Sequence, residues 1–413
     1  MATVRPGDTV ARFGGDEFVI VCDALDDTGG REVARRLLEA LAIPVELAGQ
    51  QHFVTASIGI AVTPPLDRDP STLLRCADLA MYDAKSRGRS KVSLFDPRLE
   101  EQSRERLELT NELQDALQRG ALEVHYQPQV ALGTGRLIGL EALSRWRHPT
   151  RGFVPPTLFV TLAEDSNLIR MLDQQVLLRA CQDFSLLQRR GAVSGDVRLA
   201  VNVSARNTDA DTLRSMVVDA AAKALMPLDA LEVEVTETAL MNDLGGASEG
   251  LQALRDLGVH VALDDFGTGY SSLTYLRRLP VTTIKIDREF IEHITDRPDD
   301  LAITASIADL GRAIGLRTVA EGVETTAQLA TLVQLGCTAG QGYLWSPALP
   351  LDDLVALLAA HPTGFGPPPP SAIAPPALPG IRSPHEQVTE GHGLSRLLDL
   401  HGPGRHRPPS RRR

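Results

Sequence analysis

Three features of the chain predict an α/β fold, a TIM-like (β/α) barrel preceded by a partial α+β domain and followed by a disordered tail. Over about 250 residues, short β-rich apolar runs alternate with helix-like stretches. Polar residues recur at one kind of place, the downstream end of those runs. From His361 the composition shifts to PTGFGPPPPSAIAPPALPGIRSP, and this last stretch holds 12 of the 27 prolines.

Taken in order, VARF and FVIVC read as two strands, with Gly14-Gly15 as a tight hairpin turn. Residues 97–120, PRLEEQSRERLELTNELQDALQRG, are highly charged, with Leu109, Leu113, Ala116 and Leu117 at helical spacing, and predict a linker helix. The next strands are EVHYQPQVAL, LIGLEAL, VRLAVNVS, LEVEVTE, VHVALDD, TTIKID, RTVAEG and TAGQGY, with one or two of the opening ones free to run antiparallel. Helices are read at LIRMLDQQVLLRACQDFSLLQRR, DTLRSMVVDAAAKAL and DDLAITASIADLGRAIG. The resulting domains are 1–96, a helical linker 97–109, a barrel 110–360 and a tail 361–413.

Composition narrows the function. The formal charge is −11 across 413 residues, and no long basic run occurs before the last few positions, which argues against a nucleic-acid polymer as partner. The four cysteines, Cys22, Cys76, Cys181 and Cys337, lie far apart with no CxxC pair, so a reducing cytoplasm is expected. No apolar run approaches the ~20 residues of a membrane span.

In a (β/α) barrel the strand ends converge on one face, where this fold places its chemistry. Those ends carry Glu141, Asn202, Glu234, Asp264 with Asp265, Lys285, Glu321 and Gln341. Five carboxylates cannot stay ionised together without cations, and an all-oxygen set selects hard ions such as Mg²⁺ or Mn²⁺. Adjacent aspartates suit the bridging of two ions in phosphodiester cleavage. A single strand-end acid more often caps the next helix, but six oxygen donors on one face are not explained by capping. A glycosidase barrel needs only two carboxylates. Lys285 is one of four lysines among 42 basic residues, and its compact charge suits catalysis as well as an ordinary place at the rim.

At these residues the chain, from about Leu109 to Leu358, resembles the EAL family of cyclic-di-GMP phosphodiesterases. The segments EALSRW, HPTRGFVPPTLFVTLAEDSNLI, VNVS, EVTE, DDFGTGYSSL, IKID, AEGVE and QGY carry the likeness in order and spacing. Ser144 stands in EALSRW where an apolar residue is more usual. The resemblance implies that Glu141, Asn202, Glu234 and Asp264 hold one ion, and Asp264, Asp265 and Glu321 the second. It further implies that Lys285, with Glu141 and Glu321, serves catalysis by positioning the nucleophilic water. Gln127, Arg145 and Gln341 would contact the dinucleotide, and Glu237 would steady a loop, DDFGTGYSSL, that couples a homodimer interface to metal occupancy. Gly267 and Gly269 lend that loop backbone freedom. The implied product is linear 5′-pGpG, with no organic cofactor. A non-catalytic cyclic-di-GMP receptor is the alternative, and it has no need of an intact acid set.

RFGGDEF at 12–18, ASIGIAV and LLRCADLAMYDAKSRGRSKVSLF resemble the later part of a GGDEF-type diguanylate cyclase domain. Eleven residues precede Arg12, so the first strand with its metal-binding Asp is missing, Asp16 and Glu17 lack their partner, and cyclase activity is not expected. A severed sheet of this kind is expected to expose apolar surface and an open edge, as in a piece of a longer protein. Arg5 and Asp8 match the spacing of the family's inhibitory RxxD site, although a solvent-exposed Pro-Gly turn explains them more simply.

Overall fold

The computed structural model describes residues 3–23, 25–47, 50–62, 69–86, 90–204, 207, 209–240, 244–267, 276–277 and 279–366. Residues 367–413, most of the expected tail, lie outside the described residues, as do 268–275, which include Gly269.

The N-terminal region is built from short pairs. β1 (Thr9–Gly14) and β2 (Glu17–Val21) form the expected antiparallel hairpin, turned at Gly15 with a φ of 51°. After α1 (Asp27–Leu41), β3 (Val45–Leu47) pairs with β4 (Gln50–His52), and β5 (Ile58–Ile60) pairs in parallel with β6 (Val92–Leu94) across α2 (Pro70–Ser86). Among the described residues these strands join only in twos. The hairpin therefore keeps its apolar side chains in water, with Phe13 70% and Phe18 63% exposed.

Helix α3 (Pro97–Gln118) starts at Asp96, whose carboxylate accepts the Arg98 N–H at 2.9 Å, with proline in its first turn. It runs unbroken through the expected linker and into the barrel, where Leu109, Leu113, Ala116 and Leu117 join the core. Its first half touches the N-terminal region through the exposed pair Arg75–Glu100 (2.6 Å).

The barrel strands are β7 (Glu123–Ala131), β8 (Leu137–His148), β10 (Arg198–Asn202), β11 (Leu231–Thr236), β12 (His260–Phe266), β13 (Thr283–Ile286), β14 (Arg317–Ala320) and β15 (Ala339–Gly340). β8 and β10 to β15 run parallel; β7 is antiparallel to both β15 and β8 and closes the ring. β8 extends past the barrel and pairs with β9 (Gly152–Val154). The packed shell includes α4 (Pro156–Asp165), α5 (Ile169–Arg189) and α6 (Ala210–Ala224), and the third expected helix forms at Pro298–Ile314. A hydrophobic core lies between strands and helices, anchored by Trp146 edge-on to Phe159 at 6.1 Å between ring centroids. With that layer dry, the polar residues of the strands are left to face inward. No helix among the described residues is long and apolar enough to cross a membrane.

Candidate active site

Successive strand residues face opposite sides, so one residue in two points into the barrel. This places Gln127 of β7, Glu141 of β8, Asn202 of β10, Glu234 of β11 and Lys285 of β13 in the interior, at or near the downstream ends of the parallel strands. Glu321 and Gln341 come directly after β14 and β15.

Lys285 is the centre, 1% exposed. Its Nζ lies 2.7 Å from Glu321, 2.8 Å from Glu234, 3.1 Å from Asp264 and 3.3 Å from Glu141. The Asn202 amide donates to Glu141 at 2.8 Å and to Glu234 at 3.2 Å. The Gln341 amide donates to Gln127 at 2.9 Å and also to Glu141, and Gln127 in turn donates to the Ser346 carbonyl at 3.0 Å. Most of the buried ends are thereby paired, but Oε1 of Glu234 is buried without a hydrogen-bond partner.

Asp264 and Asp265 pose a geometric problem, because neighbours in a strand should face opposite ways. A bulge resolves it: the β12–β13 register shifts between Leu263 and Phe266, and Asp265 adopts a left-handed φ of 54°. Two groups of carboxylates result, Glu141–Glu234–Asp264 and Asp264–Asp265–Glu321, each with ligand atoms within 4.8 Å of one another. They share Asp264. After the bulge, Gly267 donates its N–H to buried Glu237 at 3.1 Å; its φ is 103°, and a Cβ there would lie 2.9 Å from the Phe290 ring.

The electrostatics show how short of positive charge the cluster is. Burial, with Glu141 next to it, pushes the Glu234 carboxyl well above its usual range. Burial likewise raises Glu321 to about 8, and burial with the Asp264 charge raises Asp265 to about 6. Burial also works against Glu141, yet the Lys285 ammonium and the bonds from Gln341 and Asn202 hold it below the ordinary value. For Lys285 desolvation is offset by the surrounding carboxylates, Asp264 first, which keep the ammonium charged far above the usual range. One ammonium faces five carboxylates, and burial with mutual repulsion pushes Glu234, Asp265 and Glu321 toward their neutral forms. Divalent cations fit this all-oxygen set, and the orphaned Glu234 oxygen gives them a free donor atom.

Arg145 is half-buried, with its charge disfavoured by desolvation, and donates to the Ser144 carbonyl at 2.9 Å. Arg5 and Asp8 stay apart from this centre, in a turn in which the Arg5 N–H donates to the Asp8 carboxylate at 2.7 Å. Asp16 and Glu17 sit exposed in the hairpin. One acid was missed from the sequence. Asp287, two residues after Lys285, hydrogen-bonds with Asp265 and helps raise it, while its carboxylate also accepts the Glu289 N–H at 2.6 Å. The IKID segment contained it, but an acid opening a helix reads as a cap.

The fold and these side chains define a class, a (β/α) barrel with a carboxylate-rich cation centre at the downstream ends of its strands. The EAL domain family model matches residues 110–348, and the chain belongs to the EAL family. The family model described as "Diguanylate cyclase, GGDEF domain" matches residues 1–91. Two curated relatives from Pseudomonas aeruginosa are similar: the cyclic di-GMP phosphodiesterase NbdA is 41% identical over 89% of this chain and 47% of its own length. The bifunctional diguanylate cyclase/cyclic di-GMP phosphodiesterase MucR is 40% identical over 87% of this chain and 52% of its own. The chain thus spans about half the length of these curated relatives. Among solved structures, the PaMucR phosphodiesterase in its c-di-GMP complex is 42% identical, with a TM-score of 0.57, over 60% of this chain and 99% of that one.

Proposed function

We propose that this chain hydrolyses cyclic di-GMP to linear 5′-pGpG with the help of two divalent cations, Mg²⁺ or Mn²⁺. The observation that carries the reading is the pair of carboxylate groups sharing Asp264 around Lys285 at the barrel mouth. When bound, two such ions activate a water and share the charge that develops on the phosphoryl and departing oxygens. Glu141, Asn202, Glu234 and Asp264 hold the first ion, and Asp264, Asp265 and Glu321 the second. Lys285, fixed by four carboxylates, orients the attacking water. A new P–O bond forms to that water, one P–O3′ bond breaks, and the 3′-oxygen leaves with a proton.

Gln127, Arg145 and Gln341 orient the dinucleotide, and the Gln127–Gln341–Glu141 chain of bonds ties ligand position to the first ion's site. Glu237 holds Gly267 and with it the start of the loop after the bulge, and the chain works as a homodimer through the barrel. Arg5 and Asp8 form at most a remnant inhibitory site. Four free thiols favour the reducing cytoplasm as its place of work.

The test is incubation of the purified chain with cyclic di-GMP and Mg²⁺ or Mn²⁺, with an EDTA control, following pGpG by chromatography. Metal-dependent pGpG is expected. Ligand binding without product overturns the enzyme reading in favour of a receptor.

A further inference from the structure

Asn202 is the one amide among the residues proposed to hold the first ion, and it stands at the end of β10. The β10 ladder ends here: the Val203 N–H still donates to the Glu234 carbonyl at 2.9 Å, and β10 has no further paired residue. The next N–H, of Ser204, is instead taken by a side chain from the helical shell. It donates to Oδ2 of Asp173, the fifth residue of α5, at 2.9 Å. The Asn207 amide donates to the same oxygen at 2.7 Å, and the Ser204 hydroxyl donates to Glu164 of α4 at 2.9 Å.

Asp173 is 4% exposed among the apolar residues of α5, Leu172, Val176 and Leu177. Burying a carboxylate there is costly unless its bonds are needed. Both described bonds go to the turn that starts two residues after Asn202. We infer that Asp173 is a positioning residue for the cation-binding amide of Asn202, extending the strand ladder past its end so that the amide is held against Glu141 and Glu234. This inference rests on the metal reading of the site. It assigns Asp173 no contact with substrate or ion; its effect passes through Ser204 and Asn207.

The shared oxygen makes the idea testable. Asparagine at this position still presents one carbonyl oxygen to both donors, whereas alanine presents none. Mn²⁺ binding without substrate, read from the electron paramagnetic resonance of the free ion, should be weakened on the order of tenfold in Asp173→Ala, as is typical when a ligand's supporting group is lost. Asp173→Asn should stay close to the unmodified chain. Asn207→Ala removes one donor and should fall between the two. It decides the matter if Asp173→Ala melts below the assay temperature. Unchanged Mn²⁺ affinity in whichever of these two alanine variants is folded overturns the inference, as does an Asp173→Asn variant as weak as Asp173→Ala. No Mn²⁺ binding by the unmodified chain overturns the metal reading, and the inference falls with it.

Discussion

The two halves of this chain carry equally recognisable motifs and put them to different use. In the barrel, Glu141 of EALSRW is buried in a closed sheet, where other strands bring Asn202, Glu234, Lys285 and Gln341 to meet it. In the N-terminal region, Asp16 and Glu17 of RFGGDEF stand exposed in a two-stranded hairpin, and both of the candidate cation groups among the described residues belong to the barrel. A closed ring converts distant sequence positions into neighbours; an isolated hairpin brings only its own residues together. Chemistry that needs several acids at one point depends on the first arrangement.

The largest effect should come from the barrel. Glu141→Ala removes a member of the first carboxylate group and the acceptor of both Asn202 and Gln341, and is expected to lower hydrolysis by at least on the order of a thousandfold. Circular dichroism should show the fold retained; undiminished turnover takes Glu141 out of the centre. Lys285→Ala should lower kcat on the order of a hundredfold or more, with a much smaller change in cyclic di-GMP affinity. Because it also leaves buried carboxylates without their ammonium, its melting temperature should drop in EDTA and recover in part with Mn²⁺.

A smaller effect concerns stability. Burial raises the Asp173 carboxyl from 3.8 to about 7, so between those values the folded chain keeps a proton that the unfolded chain has released. This group's contribution to stability therefore falls as pH rises from about 4 to about 7. Asp173→Asn cannot lose that proton, so its melting temperature should gain on the unmodified chain across the same range. A constant difference with pH would contradict the buried, protonated acid. The smallest effect belongs to the hairpin, where replacing Asp16 and Glu17 by alanine should leave hydrolysis unchanged. A marked loss would mean that the N-terminal region contributes to the barrel's chemistry.

Much of the barrel was legible because its strands are apolar runs that end in polar residues, and the structure gathers Glu141, Asn202, Glu234, Lys285, Glu321 and Gln341 as that pattern suggests. The hidden features depend on backbone detail or on distant packing. The strand period sends Asp264 and Asp265 to opposite faces, and nothing in VALDDFG announces the left-handed φ that turns Asp265 back. Asp173 reads as an ordinary polar position of a helix until Ser204 and Asn207 are brought to it from another strand's end. The helix read over 97–120 forms as α3 over Pro97–Gln118. Its charged first half suggested a linker, whereas the barrel core holds its second half and the helix continues through both. Exposed apolar surface on the hairpin was expected from the sequence, and Phe13 and Phe18 carry it.

The most direct test of the central claim, that a closed barrel and one bulge assemble two cation sites sharing Asp264, is anomalous diffraction at the manganese edge from crystals grown with Mn²⁺. Two peaks are predicted, one bounded by Glu141, Asn202, Glu234 and Asp264, the other by Asp264, Asp265 and Glu321. A single peak, or peaks that do not touch Asp264, would contradict the account.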